Sequence, residues 1–193
     1  VTASPANALP ANAPPGRPGP REARLAEMLR VDHAGEYGAV QIYRGQRAIF
    51  DHATGASAIA ECLKEMEDGE AAHLRTFDRL LAERRVRPTL LGPIWSAAGY
   101  ALGAATALLG EKAAMACTAA VEEVIEKHYA AQAEELKATE PALAQTLAAF
   151  RDDELAHKET AEAHGAAAAP AYPLMRFLIQ TGCRAAIRLS EKL

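Results

Sequence analysis

Four stretches of this chain repeat their apolar residues at steps of three and four, the period of one helix face. Leu25, Leu29, Val40, Tyr43 and Phe50 lie on the first stripe, blurred by Gly35, Gly38 and Gly45. Ile59, Leu63, Met66, Phe77 and Leu80 form the second. Met115, Thr118, Ile125, Tyr129 and Leu136 form the third, and Leu143, Leu147, Phe150 and Ala161 the fourth. They predict helices over about 23–52, 58–85, 111–137 and 141–164. Thr54 and Gly55 punctuate the first junction, with Ser57 as a candidate N-cap, and Pro88 ends the second helix. Thr139, Glu140 and Pro141 open the fourth helix as a cap and early proline, and Gly165 closes it. A last helix follows Pro170, over about 173–191. The fold class is therefore all-α, a four-helix bundle with one helix to spare.

Six polar residues interrupt these stripes on the core side. Glu70 and His73 sit inside the second stripe, and Glu154 and His157 inside the fourth; each is a Glu-x-x-His pair. Glu122 falls on the third stripe and Glu36 on the first. Glu36 precedes Glu70 by 34 positions, and Glu122 precedes Glu154 by 32. A lone Glu, then Glu-x-x-His, given twice, is the ligand set of a carboxylate-bridged di-iron site in a bundle core. Glu123 lies on a more polar face and is not chosen. A buried, unpaired carboxylate is costly, and no matching set of Lys or Arg shares the stripes. Two ferrous ions would balance four glutamates.

Residues 88–110 carry no charge and include Leu90, Ile94, Trp95, Tyr100, Leu102 and Leu108. The length suffices for a membrane span, but Pro93 and four glycines (92, 99, 103 and 110) interrupt it. A span would also place Glu70 and Glu122 on opposite sides of a bilayer. Surface contact with a membrane and a buried crossover are the other two readings. The last helix favours surface contact: Met175, Phe177, Leu178, Ile179, Ile187 and Leu189 alternate with Arg176, Arg184, Arg188 and Lys192. A fifth helix packed on the bundle would read the same way.

At 193 residues and net charge −4 the chain has material for one core and no basic patch for nucleic acid. Three scattered cysteines give neither a disulfide framework nor a CxxC pair, which fits a reducing compartment. Residues 1–20 hold six of the eleven prolines and one charge, Arg17. They read as a disordered Pro/Ala-rich tail before a domain over 21–193. They lack the apolar core of a secretory signal.

The run from Leu29 to Ala39, which includes Asp32, His33, Glu36 and Tyr37, resembles the first-helix motif of the demethoxyubiquinone hydroxylases of ubiquinone biosynthesis. So do Ala120–Glu123 followed by His128 and Tyr129, and the C-terminal run from Ala169 to Glu191. The resemblance covers about residues 23–193. It implies a ferritin-like di-iron domain that hydroxylates the ring of a demethoxyubiquinone (or the quinol) with O2. It implies that Glu70 and Glu154 bridge both irons, with Glu36 and His73 completing one and Glu122 and His157 the other. It further implies a peripheral protein of the mitochondrial inner membrane or of the cytoplasmic face of a bacterial inner membrane. A lipid-binding partner, a biosynthetic complex and a homo-oligomer stay open.

No flavin or nicotinamide fingerprint is visible, so electrons come from outside: a reduced nicotinamide such as NADH, the quinol itself or a reductase. A lipid quinone needs an apolar path to the metals. Leu90, Ile94, Trp95, Tyr100, Met175 and Phe177 are the candidate substrate and membrane residues. Tyr37, His128 and Tyr129, with His33, are candidates to order the ligands or relay electrons, or are ordinary helix residues. The alternatives are a ferritin-like iron oxidase or store, and a metal-free helical scaffold at a membrane.

Overall fold

A computed structural model describes residues 19–53 and 57–193. The tail and the Thr54–Gly55 turn lie outside the described residues, as does the side chain of Ser57. Six α-helices follow in order: α1 Pro20–Phe50, α2 Ser57–Arg84, α3 Gly92–Leu108, α4 Glu111–Leu136, α5 Pro141–Ala163 and α6 Tyr172–Lys192. The described residues contain no strand. The fold is an all-α, ferritin-like bundle.

The helices start and stop for local reasons. α1 begins at Pro20, earlier than the stripe suggests, because the Gly19 N–H is held by the Glu22 carboxylate at 3.0 Å and proline suits the first turn. At the start of α5 neither Thr139 nor Glu140 caps by side chain; the Glu140 carboxylate instead takes a 2.7 Å hydrogen bond from Arg84 of α2. Gly165 ends α5 at φ 83°, a left-handed conformation that glycine adopts without penalty.

α1 pairs with α2 and α4 with α5. α3 is the crossover between the pairs. Its 17 residues span about 25 Å at the helical rise, shorter than the bundle helices of 23 to 31 residues. The glycines that seemed to break up residues 88–110 are contact points instead. A Cβ on Gly103 would lie 2.0 Å from the Ile42 carbonyl oxygen, one on Gly45 2.2 Å from that of Tyr100, and one on Gly99 2.8 Å from that of Gly38. Only hydrogen fits there, so α3 lies against α1 backbone to backbone. The pairings also show that the two helices run parallel. No helix among the described residues is long and apolar enough to cross a membrane.

α6 returns along α1 and α4. The Trp95 indole N–H donates to the Ser190 hydroxyl at 2.9 Å, and Arg30 donates to the Glu191 carbonyl at 3.1 Å. Arg176 is not free for a membrane surface: its guanidinium donates to both Glu123 oxygens, at 2.7 and 3.0 Å. Gln180 adds a 2.7 Å bond to the same carboxylate. Glu123, set aside as a polar-face residue, is therefore the pin between α4 and α6. Met175 is half-buried and packs on the core rather than facing outward.

Candidate metal centre

The helices deliver the six polar residues to one place. Glu36, Glu70, Glu122 and Glu154 are each at most 1% exposed, and His73 is 4% exposed. Potential ligand atoms of Glu36, Glu70, His73 and Glu154 all lie within 4.8 Å of one another, as do those of Glu70, Glu122, Glu154 and His157. Glu70 and Glu154 belong to both groups. The His157 Nδ1 is 2.8 Å from a Glu70 oxygen, and the His73 Nδ1 is 3.3 Å from a Glu154 oxygen.

Hydrogen bonding divides the four carboxylates into two kinds. Tyr43 on α1 donates to one Glu122 oxygen at 2.7 Å, and Tyr129 on α4 donates to one Glu36 oxygen. The other oxygen of Glu36 and of Glu122 has no partner. Neither oxygen of Glu70 or Glu154 has one, nor does the Nδ1 of either histidine. Leaving a buried acceptor bare costs roughly 1–3 kcal/mol. Eight such atoms in one pocket call for protons or for cations. They make two single-oxygen ligands, two double-oxygen ligands and two imidazoles, which matches two divalent ions sharing two carboxylates. The donor set of hard oxygens with one nitrogen for each ion suits iron.

The charges point the same way. Burial, reinforced by neighbouring carboxylates, pushes the Glu36, Glu70 and Glu122 carboxyls up. Burial acts likewise on Glu154, but the close approach of His157, His73 and Glu122 outweighs it and holds this carboxyl low. Burial alone would lower His73; Glu154 and Glu36 outweigh it and raise the imidazolium to about 10. In the metal-free protein, protons do part of the work of cations.

The remaining sequence candidates are more dispersed. Tyr129 touches the site through Glu36, whereas Tyr37 is half-buried and stacks on His33, which pairs with Asp78 at 3.0 Å. His128 lies 3.3 Å from buried Asp32 and 2.8 Å from Gln132, not at a ligand. Tyr43, Asp32 and Asp153 were not singled out from the sequence. Tyr43 had a legible signal: it follows Glu36 by seven residues, as Tyr129 follows Glu122. Asp153 holds the outer nitrogen of His73 at 3.1 Å.

Beside the cluster lies an apolar groove of about 420 Å³ between α1, α3, α4 and α6. Its floor includes Gly35 and Val121, the chain neighbours of Glu36 and Glu122; Trp95, Leu102, Leu178 and Gly182 form its walls. No charged residue lines it. Leu90, Ile94, Tyr100, Phe177 and Leu178 are exposed on α3, on α6 and before α3, and Leu178 also lines the groove.

The family model described as "Ubiquinone biosynthesis protein COQ7" matches residues 23–190. The chain is 51% identical to a 3-demethoxyubiquinol 3-hydroxylase of Rhodospirillum rubrum, over 92% of this chain and 82% of that one. It is 48% identical to the mitochondrial NADPH-dependent 3-demethoxyubiquinone 3-hydroxylase of Mus musculus, over 88% of this chain and 78% of that one. It is 40% identical to the mitochondrial 5-demethoxyubiquinone hydroxylase of Saccharomyces cerevisiae, over 88% and 78% respectively. The chain belongs to this family.

Proposed function

We propose that this member of the family hydroxylates the ring of a demethoxyubiquinone-type lipid quinone, using two irons held by Glu36, Glu70, His73, Glu122, Glu154 and His157. The observation that carries the reading is the set of eight unpartnered buried donor atoms, with both oxygens bare on Glu70 and Glu154 alone. That pattern supports a bridging role for these two. Bound there, two irons supply the reduction of O2: one oxygen atom replaces a ring hydrogen as hydroxyl, and the other leaves as water, using two electrons and two protons from outside. The names of the animal relatives favour a reduced nicotinamide as the electron source.

The protein's own groups supply placement. Tyr43 and Tyr129 stay protonated, because burial and the adjacent carboxylates raise both phenols. As fixed donors they orient Glu122 and Glu36. The apolar groove accepts the ring and the first part of an isoprenoid tail while excluding water, and its uncharged walls suit nothing ionic. The exposed apolar residues on α3 and α6 dip into a bilayer surface, so the tail passes from lipid to groove without crossing water. These exposed residues support a peripheral position, on the membrane that holds the quinone.

The test is hydroxylation by iron-loaded protein of a short-tailed demethoxyubiquinone in detergent, with a reduced nicotinamide and isotopically labelled O2. One labelled oxygen in the ring is expected. Label-free product, or no product with two irons bound, would contradict the reading.

A further inference from the structure

The two halves of the centre are related by an approximate twofold. Tyr43 reaches Glu122 as Tyr129 reaches Glu36. On the outer side, between α2 and α5, the match fails. Asp153 sits at the outer nitrogen of His73; the residue in the same relation to His157 is Gly69, where a Cβ would meet the ring at 3.4 Å. The His73 ring also stacks on Phe150, with centroids 3.9 Å apart; the position that mirrors Phe150 is Met66, which is not aromatic. His73 is clamped on two sides. His157 has neither clamp, and no side chain among the described residues hydrogen-bonds its outer nitrogen.

With no side chain at Gly69, a cleft of about 410 Å³ lies beside His157. Gly69, Thr76, Phe150, Asp153 and both imidazoles line it. The His157 side chain is 16% exposed there, and that of Asp153 61%. This opening is polar, whereas the groove on the opposite side of the bundle is not. Stripping water from a divalent cation in an uncharged apolar groove is prohibitive. A carboxylate at a wet cleft draws the ion in and exchanges its waters one at a time.

We propose that the α2–α5 cleft is the port through which hydrated divalent metal reaches the centre, with Asp153 capturing the ion at the mouth and His157, the unclamped imidazole, receiving it. The inference rests on the metal-binding reading above. Lipid substrate and metal then use opposite sides of the bundle.

The experiment follows Co(II) uptake by the metal-free full chain in a stopped-flow instrument, and its removal by a chelator. Thr76 lines the cleft, and Thr76→Phe plugs it from its rim. Uptake and release should both slow by roughly tenfold, with two ions still bound at equilibrium. Equal slowing of both directions marks a port, since a damaged site would speed release. Asp153→Asn keeps the shape of the mouth but removes its charge. It should slow uptake several-fold at low salt and flatten the salt dependence of the rate. Ala186 of α6 lines the apolar groove, so Ala186→Phe plugs that groove and should leave both metal rates unchanged. Normal uptake by Thr76→Phe and Asp153→Asn, or slowing by Ala186→Phe alone, would overturn the port. A wild-type chain that binds no metal would instead defeat the functional reading beneath it.

Discussion

The Tyr43 hydroxyl donates a 2.7 Å hydrogen bond to one oxygen of Glu122 and leaves the other bare. Tyr129 does the same to Glu36. Each tyrosine thus leaves its carboxylate one free oxygen. Tyr43→Phe would leave a second buried oxygen unpartnered and cost about 1–3 kcal/mol of metal-free stability. The expected result is a lower thermal midpoint without metal, a smaller difference with metal, and weaker binding of the ion on the Glu122 side. An unchanged metal titration in both Tyr43→Phe and Tyr129→Phe would show that neither phenol orients a ligand.

Metal and protons compete for the same oxygens. The Glu36, Glu70 and Glu122 carboxyls are raised in the folded chain, so above their ordinary range the native state holds protons that the unfolded state has released. Their contribution is full below the unfolded pKa and is lost as pH rises through the folded values. Metal-free protein should therefore gain stability when pH drops from 8 towards 6. Metal-loaded protein should not, because binding expels those protons. Calorimetric titration in buffers of different ionisation enthalpy checks this: proton release on metal binding is expected, and none would contradict it.

Glu123 behaves in the opposite sense. Burial pushes its carboxyl up, but Lys127, Arg176 and Gln180 outweigh burial and bring it from an ordinary 4.5 to about 2. Its stabilisation is present above the unfolded value and is lost as pH falls from 4.5 towards 2. Arg176→Gln should remove most of that acid-side increment and loosen α6 from α4, seen as faster amide exchange along α6. Unaltered exchange would mean that the pin does not hold the helix.

The ligand set was legible because burial of charge is rare and the steps of three and four put all six residues on core faces. The outer clamps on the histidines were not. Asp153 and Gly69 become comparable only once α2 and α5 are antiparallel neighbours, a relation that no single-helix periodicity contains. The glycines of residues 88–110 misled for a related reason. In one helix Gly99 and Gly103 are breakers; against Gly38 and Ile42 they are the only residues that fit. Arg176 read as a membrane contact because its partner Glu123 is 53 residues away.

Gly103→Ala should cost roughly 3 kcal/mol, because the added carbon meets backbone that has no rotamer to give way. α3 would move off α1 and open the apolar groove. Denaturant melts together with quinone retention in detergent measure both effects. Tolerance of alanine at both Gly45 and Gly103 would contradict the close approach.

The proposed membrane attachment would rest on exposed apolar residues more than on charge, since Arg176 is engaged. Changing Leu90, Ile94, Phe177 and Leu178 to serine removes groups worth roughly 1.5–3 kcal/mol each when fully inserted. Liposome flotation should fall at least tenfold for this variant, and only modestly for the native chain in high salt. Flotation abolished by salt alone would place the attachment on charge instead.

The central claim is that Glu70 and Glu154 each serve two metals. Iron bound per chain after anaerobic loading tests it most directly, in wild type, Glu154→Ala and Tyr37→Phe, the last a residue placed away from the cluster. Two irons are expected for wild type and Tyr37→Phe, with loss of most of both in Glu154→Ala. Two irons retained by Glu154→Ala, or one in wild type at saturation, would contradict the shared site.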